Sequence, residues 1–416
     1  MTIGRLNRRG FLALTGGVAA TAALAACGGS GSDDGLRLVG VADQKKALDE
    51  LTKAYGKVSF NTSYAPTDQV QTSVRTQLGA GNAPDIHVVY PGNGSAMSMV
   101  QISEANLLAD LSDQAWTKKI PDSFKPAYQN NGKTYIYSAG SSVIGAIYNK
   151  KVFTEAGVQP PTTWPEFLTV CDKLKQAGKI PIALGAQTPW VTQLITYALV
   201  ASTVYVKDPD FDQQMADGEA TFADSGWVDA LEMYLDLQKR GYFNDNPNGT
   251  TFEQQTSMVG TGEAAMAIQV SAVLPDFRKA ADNADDLSMF VVPGADTAEN
   301  VWIPAGITVG LGVSARSKKL ADAKKFIEFL GEQKQINAWA EAVACVPFVR
   351  DSSSKIDPLL EPFLPYMENK AVPFMDQAWP NAEVQPAHFA VVQELLGGKT
   401  TIPQALAKLD QTYRKS

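Results

Sequence analysis

Histidine is nearly absent: the 416 residues contain two, His87 in an alternating, strand-like run and His388 in a helix-like one. Neither has a partner at metal-binding spacing, and no motif places either as a base beside a nucleophile, so both read as structural. No G-x-S-x-G is present; Gly140-Ser141-Ser142 and Gly94-Ser95 do not complete it. There is neither a GxGxxG turn nor a Walker loop, so ATP hydrolysis is not this chain's chemistry. Basic charge is also short, with 36 Lys plus Arg against 44 Asp plus Glu for a formal charge of −8, which suits neither nucleic acid nor acidic lipid. A pair of carboxylates across a cleft, as a glycosidase needs, is not excluded by so many acids. Long apolar runs are missing beyond residue 26, and cysteine is limited to Cys27, Cys171 and Cys345.

What is present begins with an address. Arg5, Arg8 and Arg9 precede an apolar, Gly/Ala-rich run over 11–26, the layout of an export signal, and NRRGFLA carries the paired arginines of a twin-arginine signal. LAAC at 24–27 resembles the lipobox of bacterial lipoproteins, which implies cleavage before Cys27 and a lipid on its sulfur. Residues 28–35, GGSGSDDG, then read as a flexible polar tether.

From residue 36 the period alternates between strand and helix: strand 36–41, helix 44–55, strand 58–64, helix 68–78, strand 85–90. Alternating βα units predict an open α/β sheet whose ligand lies beyond the carboxyl ends of the strands. That rule nominates Asp43 and Gln44, then Tyr64 and the residues to Thr67, then Tyr90 to Asn93.

The chain is organised around residues 132–174. The stretch 133–148 is an extended run with a polar break at 138–142, the pattern of a crossover between lobes. Pro160-Pro161 forces an extended connection, and Thr163 with Glu166 spells a capping box that starts the next helix. The order YNKKVF, AG, PPTTWPEF, KLKQAGKIPIALG resembles the carbohydrate-specific extracellular solute-binding proteins of ABC importers (family 1), the group that includes maltose-binding protein. NAPDIHVVYPGN, VGTGEAAMAI, AGITVGLGVSARSKKLADAKKFIEFL and GKTTIPQALAKLDQ continue the resemblance over most of the chain after residue 34.

The resemblance implies a periplasmic-binding-protein-like fold: two α/β lobes, 36–139 with 290–345 and 140–289 with 346–416, joined by a three-crossing hinge. The ligand, a carbohydrate, would lie in the interlobe cleft and be handed to the permease subunits of the importer. It implies a monomer exported to the outer face of the bacterial cytoplasmic membrane and touching that membrane only through its lipid anchor, with no nucleic acid, cofactor or metal. A receptor for another solute, a non-transporting surface lipoprotein and a glycoside hydrolase remain as alternatives. The family fold places Cys171 in the second lobe and Cys345 near a crossover, which favours two buried free thiols over a disulfide.

A sugar site wants flat aromatics with polar groups at their rim. Trp116, Trp227 and Trp339 lie in helical patterns and Trp164 follows a capping Thr, so they read as packing residues. Trp190, Trp302 and Trp379 lie in loops and are cleft candidates, Trp190 matching the family's stacking aromatic best. Ser141 and Ser142 sit at the first crossover, Ser142 where the family has an acidic sugar contact. Gln269 and Ser271 fall at the turn that in the family leads to a stacking Trp. Here QVSAVL supplies none, and Trp379 with Asp376 is the expected replacement.

Overall fold

The structure, a computed structural model, describes residues 35–415 except residue 96. The export signal, Cys27 and the tether up to residue 34 lie outside the described residues. The first sheet is built from β1 (Leu36–Val41), β2 (Phe60–Ala65) and β3 (Ile86–Val89), β1 running parallel to both of the others. A hairpin of β4 (Gln129–Asn130) and β5 (Lys133–Thr134) follows, turned by Asn131-Gly132 with both φ angles positive, at 50° and 73°, the conformation that makes Asn-Gly the favoured two-residue turn. β6 (Ile136–Tyr137) leads into β7 (Gly140–Asn149), ten consecutive buried residues.

β7 is the spine of the second sheet. The later strands are β8 (Ile180–Ile182), β9 (Ala264–Val270), β10 (Leu287–Phe290), β11 (Ile303–Gly306), β12 (Gly310–Val313), β13 (Val346–Pro347) and β14 (Ala371–Val372). The first sheet has the order β2-β1-β3-β12-β6 and the second β14-β11-β7-β9-β8, with β10 and β13 also paired to β7. Along β7 the partners change in turn: β13 at Gly140 and Ser141, β11 at Ser142 and Val143, and β10 from Ala146 on, while β9 lines the other edge. A strand with neighbours on both edges and elements over both faces is apolar throughout, as GSSVIGAIYN nearly is. Gly140 stands where it does because a Cβ there would lie 2.1 Å from the Val346 carbonyl oxygen.

Local signals set the helix starts. The Asn149 side chain accepts from the Lys151 and Val152 amides and opens helix Lys150–Glu155. Thr163 and Glu166 form the reciprocal capping box of helix Trp164–Gln176.

Each sheet has its own core. One gathers Leu38, Val88, Leu311, Phe326 and Trp116; the other gathers Ile147, Phe167, Trp227 and Leu406. Cys171 is buried in the second and Cys345 in the first, and neither is in a disulfide. The chain passes between lobes three times, at 138–140, 307–309 and 344–346; in the last, Ala344 and Val346 belong to the second core and Cys345 to the first.

The second passage corrects the expected return at residue 290. β10 pairs antiparallel with β7 and buries Met289 and Phe290 in the second core, and β11 adds Ile303 and Ala305 to it. Residues 290–306 therefore finish the second lobe, because a short apolar strand is stabilised by whichever open edge it meets and β7 offers two. No helix among the described residues is long and apolar enough to cross a membrane.

Candidate functional site

The hinge brings the carboxyl end of the first sheet against the second lobe. Asp43 and Gln44 follow β1, Ser138 and Ser142 flank the first crossing, Ala272 follows β9, and Thr308 lies in the second crossing; together they enclose a cavity of ≈ 20 Å³ in the seam. That holds about one water and is far below the few hundred Å³ that a sugar needs, so a solute enters here only by the parting of the lobes.

The seam is rich in oxygen acceptors. Gln44 is 4% exposed and its Oε1 is buried without a hydrogen-bond partner, as is Oδ1 of the half-buried Asp43. A buried acceptor left unpaired costs about 1–3 kcal/mol, which a donor brought by a solute would recover. Burial, and then the Asp276 carboxylate of the second lobe, push the Asp43 carboxyl up to about 7. Burial likewise raises Asp276. Asp376 is pushed up to about 6 by burial, partly offset by the Tyr197 hydroxyl beside it. Tyr90, behind Asp43, is held protonated by burial and lies within reach of the Gln71 and Thr67 side chains.

The remaining candidates divide. Asn93 reaches across to the second lobe, its Nδ2 donating to the Pro380 carbonyl at 2.6 Å. Ser141 is buried at 2% exposure, opposite Val346 in the β7–β13 ladder. Trp190 is half-buried and packs on Phe252 with ring centres 5.1 Å apart. Tyr64 does not turn to the cleft: its hydroxyl donates to Asp49 on helix Lys45–Tyr55 at 2.7 Å and Lys45 lies over its ring. Trp302 precedes β11 at the end away from Gly306, its backbone tied to Ser202. Gln269 is fully buried and bonds Gln255, because its place in β9 directs it into the second core. Ser271 is equally buried and accepts from the Val143 amide. Trp379 is 2% exposed, edge-on to Tyr197, Phe222 and His388; it is a core residue and not a stacking face.

Three seam residues escaped the reading of the sequence. Asp276 stands on the first turn of helix Leu274–Ala280, five residues past Ser271, where the strand-end rule applied to β9 would have found it. Thr308 became visible only with the true second crossing. Trp339 lies in a helix as expected, yet that helix ends at the hinge and its indole lines the cavity.

Two α/β lobes, three crossings and an acceptor-lined seam define a hinged binding protein that encloses a small solute. Residues 46–361 match the family model of bacterial extracellular solute-binding proteins, and the chain belongs to that family. It is 24% identical over 327 residues to the multiple sugar-binding protein of Streptococcus mutans serotype c, covering 76% of this chain and 75% of that one. It is 21% identical over 356 residues to the melibiose/raffinose/stachyose-binding protein MelE of Bacillus subtilis, covering 84% and 81%. Among solved structures, a chitin oligosaccharide binding protein matches with a TM-score of 0.78 at 21% identity, over 91% of this chain and 98% of that one. RafE in complex with raffinose matches with a TM-score of 0.75 at 18% identity, over 91% and 98%. At these identities the structural likeness establishes the fold, which is that of the two-lobed solute-binding proteins.

Proposed function

We propose that this chain is the receptor of an ABC importer, capturing a sugar or oligosaccharide between its lobes and delivering it to the membrane permease. The observation that carries the reading is the set of unpaired acceptors in the seam, Asp43 Oδ1 and Gln44 Oε1, within the electrostatic reach of the Asp276 carboxylate of the other lobe. A saccharide is a dense array of hydroxyl donors on an uncharged frame, so it satisfies such acceptors from both lobes at once. Binding that needs contacts from both lobes favours the closed form by their difference, and closure is the signal a permease reads. The names of the relatives point to the same solute class.

The acid pair across the seam binds hydroxyls and does not hydrolyse, in keeping with a family of binding proteins. Export through the 1–27 signal and acylation of Cys27 would hold single copies at the outer face of the cytoplasmic membrane. A thermal-shift screen against mono- and oligosaccharides, amino acids and polyols tests the solute: a raised midpoint confined to related saccharides is expected. The anchor is tested by Cys27→Ser, which should move the protein from the membrane fraction to the soluble one.

A further inference from the structure

On the flank of the cleft beside β11 and β14 the two lobes already touch through their own backbone. The Asn93 amide donates to the Gln377 carbonyl at 3.2 Å, and the Asn93 side chain donates to that of Pro380. The approach is possible because Gly92 and Gly94 lack side chains: a Cβ on Gly92 would lie 2.1 Å from the Gln377 carbonyl oxygen, and one on Gly94 2.0 Å from that of Asp376.

Both partners are braced. In the first lobe the Asn93 carbonyl accepts from Ser98 Oγ at 3.1 Å and Gln101 Nε2 at 2.8 Å, and the Val100 amide donates to the Gly92 carbonyl. In the second lobe Trp379 roots the turn in the core, and Gln377 Nε2 donates to the Ile307 carbonyl in the second crossing at 2.9 Å.

We propose that Gly92-Asn93-Gly94 and residues 376–380 form a ligand-independent latch that closes this flank of the cleft and confines the solute to the flank between Asp43 and Asp276. The part that concerns the solute rests on the sugar reading above; the latch itself does not. With one flank walled by backbone, a saccharide lies with one end against the latch, and longer chains extend only past the Asp43 side. The empty protein then populates the closed form through its own hydrogen bonds, and the apparent affinity scales with that population. Trp379 acquires a role by this route: it anchors the latch instead of stacking on the sugar.

The test is Gly94→Ala, since the Gly94 backbone has no positive φ and only the added methyl is at issue. Small-angle scattering of the empty protein should give a larger radius of gyration for Gly94→Ala than for the wild type. Asn93→Ala, which removes a bond without adding bulk, should shift it the same way by less. For the saccharides that the wild type recognises, Gly94→Ala should weaken binding on the order of tenfold and reduce the preference for chain length. Scattering and affinity unchanged in a folded Gly94→Ala protein would overturn the latch. If the wild type binds no saccharide, the sugar reading and the confinement fall, while the scattering comparison still decides the latch.

Discussion

The carboxylate of Asp276, on the first turn of its helix in the second lobe, acts across the seam on Asp43, which follows β1 in the first: its like charge adds to burial in raising Asp43 to about 7. The other ionisable groups toward this point are Tyr90 and, beyond it, Asp68, itself raised by burial, in the first lobe, and Lys279 and Glu253 around Asp276 in the second. An exposed aspartate loses its proton near pH 4, so closing the seam takes up a proton between about pH 4 and pH 7. The closed fraction of the empty protein should accordingly be highest near pH 4, decline as the pH rises through that window and level off above about pH 7. Asp43→Asn should flatten the profile; small-angle scattering of the empty protein at several pH values checks it.

Trp379→Ala should destabilise the empty protein by about 3–5 kcal/mol, because it deletes an indole from the packed group of Tyr197, Phe222, Trp227 and His388. Chemical denaturation measures this. The loop position of Trp379 in the sequence suggests instead a stacking face in the cleft.

His388 is fully buried against Tyr197, Trp227 and Trp379, and both ring nitrogens lack a hydrogen-bond partner. Burial drops its pKa to about 3, so the folded state resists a proton that the unfolded chain accepts below about pH 6.5, and stability contributed by the neutral ring is lost as pH falls through that range. His388→Phe keeps the ring and removes the orphaned nitrogens. It should stabilise the protein by about 1 kcal/mol at neutral pH and by more under acid conditions, as read from melting curves at two pH values.

Thr163→Ala should cost about 1 kcal/mol by removing the hydroxyl that accepts from the Glu166 amide and one half of the capping box. The loss should appear in urea denaturation and leave saccharide affinity unchanged.

What the sequence made legible was local. The Thr163 box and the alternation of β1 to β3 with their helices follow from nearest-neighbour chemistry, and the strand-end rule nominates Asp43 and Gln44, which line the cavity in the seam. What it hid was long-range. Nothing in Leu287–Phe290 says which sheet edge it joins, so the second crossing was placed about seventeen residues early. A tryptophan beside proline reads as a loop residue whether its ring faces water, sugar or core, and only the packing of 192–203 and 384–396 around Trp379 decides. Gln269 and Ser271 lie at the right turn but point inward, since β9 is covered on both faces. Asp276 lies a helical turn beyond the point where the family resemblance places a tryptophan, and no local pattern of its own marks it.

A saccharide bound in the seam is held by acceptors of both lobes. The most direct measurement is a calorimetric titration of the wild type and of Gln44→Ala with the saccharide that raises the melting midpoint most. Binding at one site, weakened about tenfold or more in a Gln44→Ala protein that still unfolds cooperatively, is the result expected for the loss of one buried hydrogen bond. Equal affinity in the two proteins would contradict the seam as the site, and the absence of binding by any saccharide would contradict the solute.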